Sequence, residues 1–477
     1  MEARAGVPVN EVRTVTDTPV SDIEELLERQ RRFFESGRTL THAFRDEQLR
    51  SFESAVRKAE ARIAEALWAD LHKSETETWV VETSFVLGEI AHARKHLKGW
   101  MKPRRSIGPV VVQPARSAVY AQPLGTTLIL GAWNYPFHLT LAPLVAALAG
   151  GNVAVLKPSE LSPATSAVIA EVVAEAFDPA VVACVQGGIH TGRALLQQRW
   201  DHLCYTGGPG VGKLVAQAGA EHFSRVTLEL GGKSPCIVMP SANLETAARR
   251  IAWGKWINAG QTCVAPDYLL VHRAVHDDLV ERLGKRVRTM FGDDPQDSPD
   301  YGRLVNARHF ERVKALVDPA KVAFGGRNDP DERYLEPTIL TKVTADDPVM
   351  QEEIFGPVLP VITVDGLEDA FDRVRQHPDP LAAYLFSEDA GEQDAFVQRL
   401  SFGGGCVNHA TLHLADPDLP FGGIRGSGLG AYHGLHGFQR FTHAKGVLHA
   451  HSSTLLDLTV KYAPYAGKLP FLKRLVG

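Results

Sequence analysis

The chain has 477 residues, 44% of them hydrophobic and 22% charged, with a formal net charge of −5. That length exceeds one hydrophobic core and implies about two to four domains. A charge so mild, with no block of lysine or arginine, argues against a phosphate-neutralising nucleic-acid surface. The five cysteines, Cys184, Cys204, Cys236, Cys263 and Cys406, are odd in number and contain no C-x-x-C pair. Neither a disulfide framework nor a cysteine zinc site is therefore expected, and the compartment should be a reducing one. The opening residues, including Glu2, Arg4, Glu11 and Arg13, lack the apolar core of a secretory signal, which makes the cytoplasm the expected location.

In chain order, the first 20 residues read as a loose arm. Ser21 and Glu24 have capping-box spacing, and Ile23, Leu26, Leu27, Phe33 and Phe34 then recur at helical intervals up to Gly37. Two further helices are predicted over residues 46–72 and 77–97. All three precede any good strand and should pack outside a sheet formed later. Val110–Val112 and Ala118–Tyr120 flank Pro114–Ser117 and predict a hairpin. Such a projecting hairpin usually meets a partner chain or another domain.

From Ser117 to Leu156 there is no Asp, Glu, Lys or Arg. Hydropathy alone would suggest a membrane span, but Pro123, Asn134, Pro136, Pro143 and Gly150–Gly151 interrupt it. A buried βαβ unit explains the pattern better, because parallel strands covered on both faces are almost continuously apolar. The alternation continues through strands at 152–156, 181–185, 202–206 and 225–230, with helices between them. A second set begins at Cys236 and runs to a strand at 405–408. Two doubly wound parallel sheets are expected, joined near Glu229–Gly232, with ligands beyond the carboxyl ends of the strands. After Asn408 come a loop rich in His, Asp and Pro and the glycine-dense segment Pro420–Gly428. The tail carries Phe471, Leu472, Leu475 and Val476 among Lys468, Lys473 and Arg474. It is too short to span a bilayer, and docking on the protein body is expected ahead of docking on a membrane surface.

Several residues stand where chemistry is possible. Cys263 lies between a glycine that ends a helical pattern and a proline, on a turn able to present a thiol to a cleft; the bland alternative is a buried core cysteine. Gly207, Gly208 and Gly212 open a helix after a strand, so backbone N–H groups are available for a phosphate. The stretch nearly matches a Walker A loop, but Leu214 stands where Ser or Thr must ligate magnesium. Lys157 and Glu160 follow a buried strand and suit ribose hydroxyls, or are solvated loop charges. Asn134 offers an amide at a strand end, or forms a turn. Glu229, in an apolar run at the domain joint, is a candidate general base with a raised pKa, or half of a structural salt bridge.

Taken together, W-N-Y-P-F around Asn134, K-P-S-E at Lys157, L-E-L-G-G-K-S-P at Glu229, G-Q-T-C-V-A-P at Cys263, E-E-I-F-G-P at Glu353 and the P-F-G-G segment resemble the aldehyde dehydrogenase superfamily from about residue 21 to 447. C-V-A-P-D-Y, R-R-I-A-W-G-K and G-A-Y-H-G-L are similar to its class 3 branch, which takes fatty and aromatic aldehydes. The resemblance implies Cys263 as nucleophile, Glu229 as the base for the deacylating water, and Asn134 with the Cys263 N–H as oxyanion hole. It further implies NAD or NADP, with Lys157 and Glu160 on the adenosine ribose, Glu353 on the nicotinamide ribose and Phe355 beside that ring; no metal is needed. His413 matches a histidine of the class 3 substrate loop, and Tyr135, Trp256 and residues 409–419 are expected to shape the pocket.

The implied fold is α/β, with a Rossmann-like dinucleotide-binding domain over residues 1–106 and 122–229, and a catalytic domain over 230–408. A small β oligomerisation element takes in 107–121 and 409–450, and a C-terminal tail covers 451–477. A homodimer and a small aldehyde substrate, medium- or long-chain or aromatic, are implied as well. Gly207-Gly208-Pro209 replaces the Gly-Ser-Thr common in the superfamily, which shifts diphosphate binding towards backbone N–H groups and leaves NAD against NADP open. Two alternatives remain: a CoA-acylating dehydrogenase, which would not need Glu229, and a non-catalytic protein on the same fold.

Overall fold

The charge-free segment 117–156 forms the centre of a sheet. In the computed structural model, residues 16–109, 112–453, 457 and 459–476 are described. Among them no helix is long and apolar enough to cross a membrane. Helices α1 (Val20–Glu35), α2 (His42–Leu71), α3 (Glu75–Thr78) and α4 (Ser84–Trp100) come first. Strands β1 (Arg104–Ser106), β2 (Arg116–Pro123) and β3 (Thr126–Leu130) follow, and then α5 (Pro136–Gly150), β4 (Val153–Lys157), α6 (Pro163–Ala176), β5 (Val182–Cys184), α7 (Ile189–Leu196), β6 (His202–Thr206), α8 (Pro209–Glu221) and β7 (Arg225–Glu229).

Side chains alternate across a strand, and here both sides are dry. Ile129, Ala154 and Leu156 join a cluster with α2, α5 and α6. Their neighbours Leu128, Leu130 and Val155 pack instead with Ile23 and Leu27 of α1 and Val215 of α8. Every residue of β3 and β4 is buried as a result, which is why the sequence shows a continuous apolar run. Gly151, at φ 82°, ends α5 as the double glycine predicted.

The second set comprises β8 (Pro235–Val238), α9 (Leu244–Trp256), β9 (Tyr268–His272), α10 (His276–Phe291), α11 (Ala307–Lys314), β10 (Val322–Phe324), β11 (Asn328–Asp329), β12 (Tyr334–Leu335), β13 (Thr338–Leu340), α12 (Pro348–Gln351), β14 (Val358–Val364), α13 (Leu367–Val374), β15 (Ala382–Phe386), α14 (Ala390–Arg399) and β16 (Gly404–Val407). The chain closes with β17 (Gly428–Leu429), α15 (Gly434–Arg440), β18 (Thr442–His449) and α16 (Leu469–Val476). The two large sheets have strand orders β17-β7-β6-β3-β4-β5 and β10-β13-β14-β9-β8-β15-β16. Each is parallel except for one antiparallel edge strand, β17 beside β7 and β10 beside β13. Those edges are two and three residues long, too short for a periodic signal.

Four local expectations change. Helix α1 begins at Val20 after Pro19 and has no side-chain cap; Ser21, already inside the first turn, donates to Asp22 Oδ1 instead (3.1 Å). The hairpin pairs Arg104–Ser106 with Ser117–Val119, so its first strand precedes the predicted one; Val110 and Val111 lie outside the described residues. Its second strand also pairs along eight residues with β18, completing a three-stranded sheet. Strand β18 is mostly exposed and carries no alternating pattern. Of the predicted arm, residues 1–15 lie outside the described residues, but Asp17 Oδ1 accepts from Gly188 N and Thr191 Oγ1, both at 2.8 Å, tying its end to α7. Finally, two apolar side chains of α16 face outward, Leu469 at 60% and Phe471 at 52% exposure, while Leu472 is half-buried.

Candidate active site

Helix α9 gives way to a short turn, Ile257–Gly260, in which Asn258, Ala259 and Gly260 take positive φ of 52°, 50° and 75° in succession. A Cβ at Gly260 would stand 2.2 Å from Gly356 O, so only glycine passes there. The reversal brings Thr262 and Cys263 to the wall of a cavity of about 370 Å³. The Gln261 side chain holds the turn, donating to Asn258 O and Arg303 O and accepting from Val305 N, each at 3.0 Å. Tyr384 Oη donates to Val264 O on the far side of Cys263 (2.5 Å).

Asn134 sits in the loop between β3 and α5 and is 3% exposed. Its side-chain amide donates to Gln261 O at 3.0 Å. Tyr135 Oη shares a hydrogen bond of 2.6 Å with Thr262 Oγ1. The amide predicted at a strand end is thus stitched to the predicted thiol turn by two adjacent contacts.

Glu229 ends β7 beside Thr206 of β6 and opposite Gly428 of β17. It is 2% exposed, and neither carboxyl oxygen has a hydrogen-bond partner among the described residues. Burial pushes its pKa well up, and the Arg440 guanidinium opposes that only in part. A salt bridge is therefore not what holds Glu229. Burial also raises the Cys263 thiol, and the carboxylates of Glu353 and Glu229 add to the shift. Glu353 lies against the main chain at the joint: a Cβ on Gly231 would meet its Oε2 at 1.9 Å. Burial, with Asp267 nearby, pushes the Glu353 carboxyl up to about 8. Cys263, Glu229 and Glu353, from three separate elements, share one electrostatic neighbourhood.

The residues expected to hold a dinucleotide gather at the carboxyl edge of the first sheet. At the end of β4, Lys157 Nζ donates to Glu160 Oε2 (2.5 Å), and Glu160 faces outward. At the end of β6, Gly207 has φ 155° and a Cβ there would strike Tyr205 Oη at 2.3 Å, whereas Gly208 has open space. Helix α8 starts at Pro209 with no side-chain cap, so the N–H groups of its first turn are free for an anion. Gly212 lets the helix close on Leu230, 2.8 Å from where a Cβ would sit. Phe355, at φ 51°, sets its ring edge-on to Trp133 with centroids 5.3 Å apart.

The cavity wall is largely apolar, with Phe85, Leu139, Trp253, Ile257, Leu412 and Leu414 beside Tyr135 and Cys263. Trp256 is not part of it: its ring is 1% exposed and its Nε1 donates to Pro357 O (3.0 Å). The neighbouring Trp253 takes the place expected of it. His413 also turns away, with Nδ1 3.6 Å from Cys406 Sγ. His433 and Glu89 do line the cavity. Their signal was the A-Y-H-G-L string for His433; Glu89, on a helix far upstream, had none.

The aldehyde dehydrogenase family model matches residues 5–447. The chain belongs to the aldehyde dehydrogenase family. It is 45% identical over 453 residues to 4,4'-diaponeurosporen-aldehyde dehydrogenase of Staphylococcus aureus, covering 94% of this chain and 98% of that one. With the dimeric NADP-preferring aldehyde dehydrogenase of Rattus norvegicus it shares 41% over 451 residues, 94% of this chain and 100% of the relative. A substrate-bound structure of Staphylococcus aureus AldH superposes with a TM-score of 0.93 at 44% identity, covering 95% and 99% of the two chains. This aldehyde dehydrogenase is an oxidoreductase that converts aldehydes to carboxylic acids with NAD or NADP. The class 3 resemblance agrees with its relatives, several of which are named as family 3 members.

Proposed function

We propose that Cys263 is the nucleophile, Asn134 and the Cys263 N–H the oxyanion hole, and Glu229 the base that activates the deacylating water. The observation that carries this reading is the pair of contacts joining Asn134 and Tyr135 to the Gln261–Cys263 turn. They hold an amide donor, a thiol and a cavity in register before substrate arrives. Cys263 sulfur adds to the aldehyde carbon as its proton leaves, and the carbonyl oxygen becomes an oxyanion facing the Asn134 amide and backbone N–H. Burial and the neighbouring carboxylates raise the pKa of this half-buried thiol, so its proton must pass to a base, water or the Glu229 carboxylate, as the C–S bond forms. After oxidation the acyl group is a thioester on Cys263. Glu229, with both oxygens unpartnered among the described residues, accepts a proton from the attacking water, and the acid departs.

NAD or NADP, when bound, supplies the hydride acceptor. Lys157 and Glu160 would hold the adenosine ribose, the N–H groups after Gly207 and Gly208 the diphosphate, and Glu353 the nicotinamide ribose, with Phe355 beside the ring. Residues 1–106 and 122–229 then form the cofactor domain and 230–408 the catalytic domain. The apolar wall favours medium- or long-chain aliphatic and aromatic aldehydes, since each buried methylene contributes about 0.8 kcal/mol.

The exposed strands β1 and β18 flank β2, and unpaired sheet edges invite a second chain. A homodimer through this sheet is our reading, as is a cytoplasmic location, supported by five free cysteines. The decisive experiment is product analysis with and without CoA, in the native protein and in Cys263→Ala. Free acid from the native protein, and neither acid nor reduced cofactor from the variant, is the expected result. Acyl-CoA as product, or undiminished turnover in Cys263→Ala, overturns the reading.

A further inference from the structure

Behind Asn134 lies a charged pair that the reaction scheme does not use. Lys73 follows the carboxyl end of α2, and both it and Glu82 have fully buried side chains. Glu82 occupies a π-helical turn, Trp79–Thr83, inserted between α3 and α4. Such bulges are rare and frequent at functional sites. Lys73 Nζ donates to Glu82 Oε1 at 2.6 Å and to Asn134 O at 2.8 Å, and it sits 3.9 Å from the Tyr135 ring centroid. The three faces of the ammonium are thereby occupied by a carboxylate, a peptide carbonyl and an aromatic ring.

The same carbonyl accepts a second hydrogen bond, from Asn258 Nδ2 of the thiol turn (2.7 Å). Glu82 Oε2 in turn accepts from His138 N in the first turn of α5 (2.9 Å). Glu77 Oε1 accepts from Asn258 N (2.9 Å), bringing a second carboxylate to the loop. The peptide of Asn134 is consequently fixed from behind by Lys73, while its side chain reaches forward to Gln261 O.

We infer that Lys73 and Glu82 are positioning residues, whose contact with the Asn134 carbonyl sets the Asn134 amide and Tyr135 hydroxyl against the Cys263 turn. This rests on the reading of Asn134 as the oxyanion donor. A buried ion pair contributes little net stability compared with an apolar pair of similar shape. Its role here is explained by what it touches: the main chain of the residue that must face the developing charge. Misplacing a reacting group by on the order of 1 Å costs about 100-fold in rate.

The test compares Lys73→Met with the charge-neutral pair Lys73→Met/Glu82→Gln, in which the introduced glutamine is an isostere able to accept from His138 N. Should Lys73→Met unfold because it strands a buried carboxylate, the double variant carries the test. Steady-state kinetics with octanal, thermal unfolding, and Asn134→Ala made in both the native and double-variant backgrounds are measured. The expected result is a double variant with a native-like melting temperature, kcat lower by about 10- to 100-fold and KM changed less than about threefold. Asn134→Ala should then cost less in the double variant than in the native protein, because the two changes remove one function. Native kcat in the double variant, or full additivity with Asn134→Ala, overturns the inference. Failure of the underlying reading is seen separately, as native kcat in Asn134→Ala alone.

Discussion

The side-chain amide of Asn134 donates a 3.0 Å hydrogen bond to the main-chain carbonyl of Gln261, two residues before Cys263. One of its two N–H groups is spent on the turn that carries the thiol, and in the proposed mechanism the other serves the oxyanion. Asn134→Ala removes both the donor and the tether. The expected loss is about 100- to 1000-fold in kcat, with aldehyde KM little changed, because the contact strengthens only as charge develops on oxygen. Asn134→Asp keeps the shape but replaces the donor with a carboxylate, and should be at least as slow. A rise in KM with native kcat would show that Asn134 binds substrate without stabilising the transition state.

The pH dependence should report Glu229. Burial holds its carboxyl pKa well above the ordinary glutamate value, with Arg440 opposing. A raised pKa keeps the group protonated at a pH where an exposed glutamate is already ionised, and only the carboxylate accepts a proton from water. Deacylation should therefore be slow at low pH and rise as pH climbs through the raised pKa. In Glu229→Gln this limb disappears. Stopped-flow mixing should then show a burst of about one reduced cofactor per active site, followed by turnover about 100-fold slower or more. An unchanged pH profile in that variant would remove Glu229 from the mechanism.

What the sequence disclosed and what it hid divide along physical lines. Strand β6 is readable end to end, at 202–206, between Asp201 and the glycines at 207 and 208. The turn that carries Cys263 is bracketed in the sequence by Gly260 and Pro266. The support behind Asn134 was not readable, because Lys73 lies 61 residues upstream of it and a lone lysine after a helix reads as solvated. Strand β18 escaped for a related reason: its residues are mostly exposed, so no burial pattern is written into them. Trp253 and Trp256 lie three apart on α9, and helical periodicity places them on nearly the same face. Which of them meets the cavity is decided by the Pro357 carbonyl that captures Trp256.

The thiol turn should be intolerant of a side chain at position 260. Gly260 combines φ 75° with a Cβ position 2.2 Å from Gly356 O, a main-chain atom that cannot rotate away. Gly260→Ala is expected to cost about 1–3 kcal/mol of stability and to depress kcat by displacing Cys263. At Gly208 nothing lies within 4 Å of a Cβ, and its φ of −72° is ordinary. Gly208→Ala should therefore leave the melting temperature unchanged within about 1 °C. Differential scanning calorimetry of the two variants makes the comparison.

Chain-length selection should depend on Trp253. With Phe85, Leu139, Ile257 and Leu412 it builds an apolar wall next to Cys263, so a longer aldehyde buries more surface there than acetaldehyde can. Each added methylene that reaches the wall is worth about 0.8 kcal/mol, close to a fourfold gain in kcat/KM if it is realised in the transition state. Trp253→Ala removes the largest ring from that wall and should lower kcat/KM for octanal and benzaldehyde by about 10- to 100-fold, while acetaldehyde changes by less than about threefold. Trp256→Ala provides the control. It empties a core position whose indole is 1% exposed, and should cost about 3–5 kcal/mol of stability. Whatever activity remains should keep the native preference among aldehydes. A uniform fall across all three substrates in Trp253→Ala would place this ring in the fold and outside the substrate path.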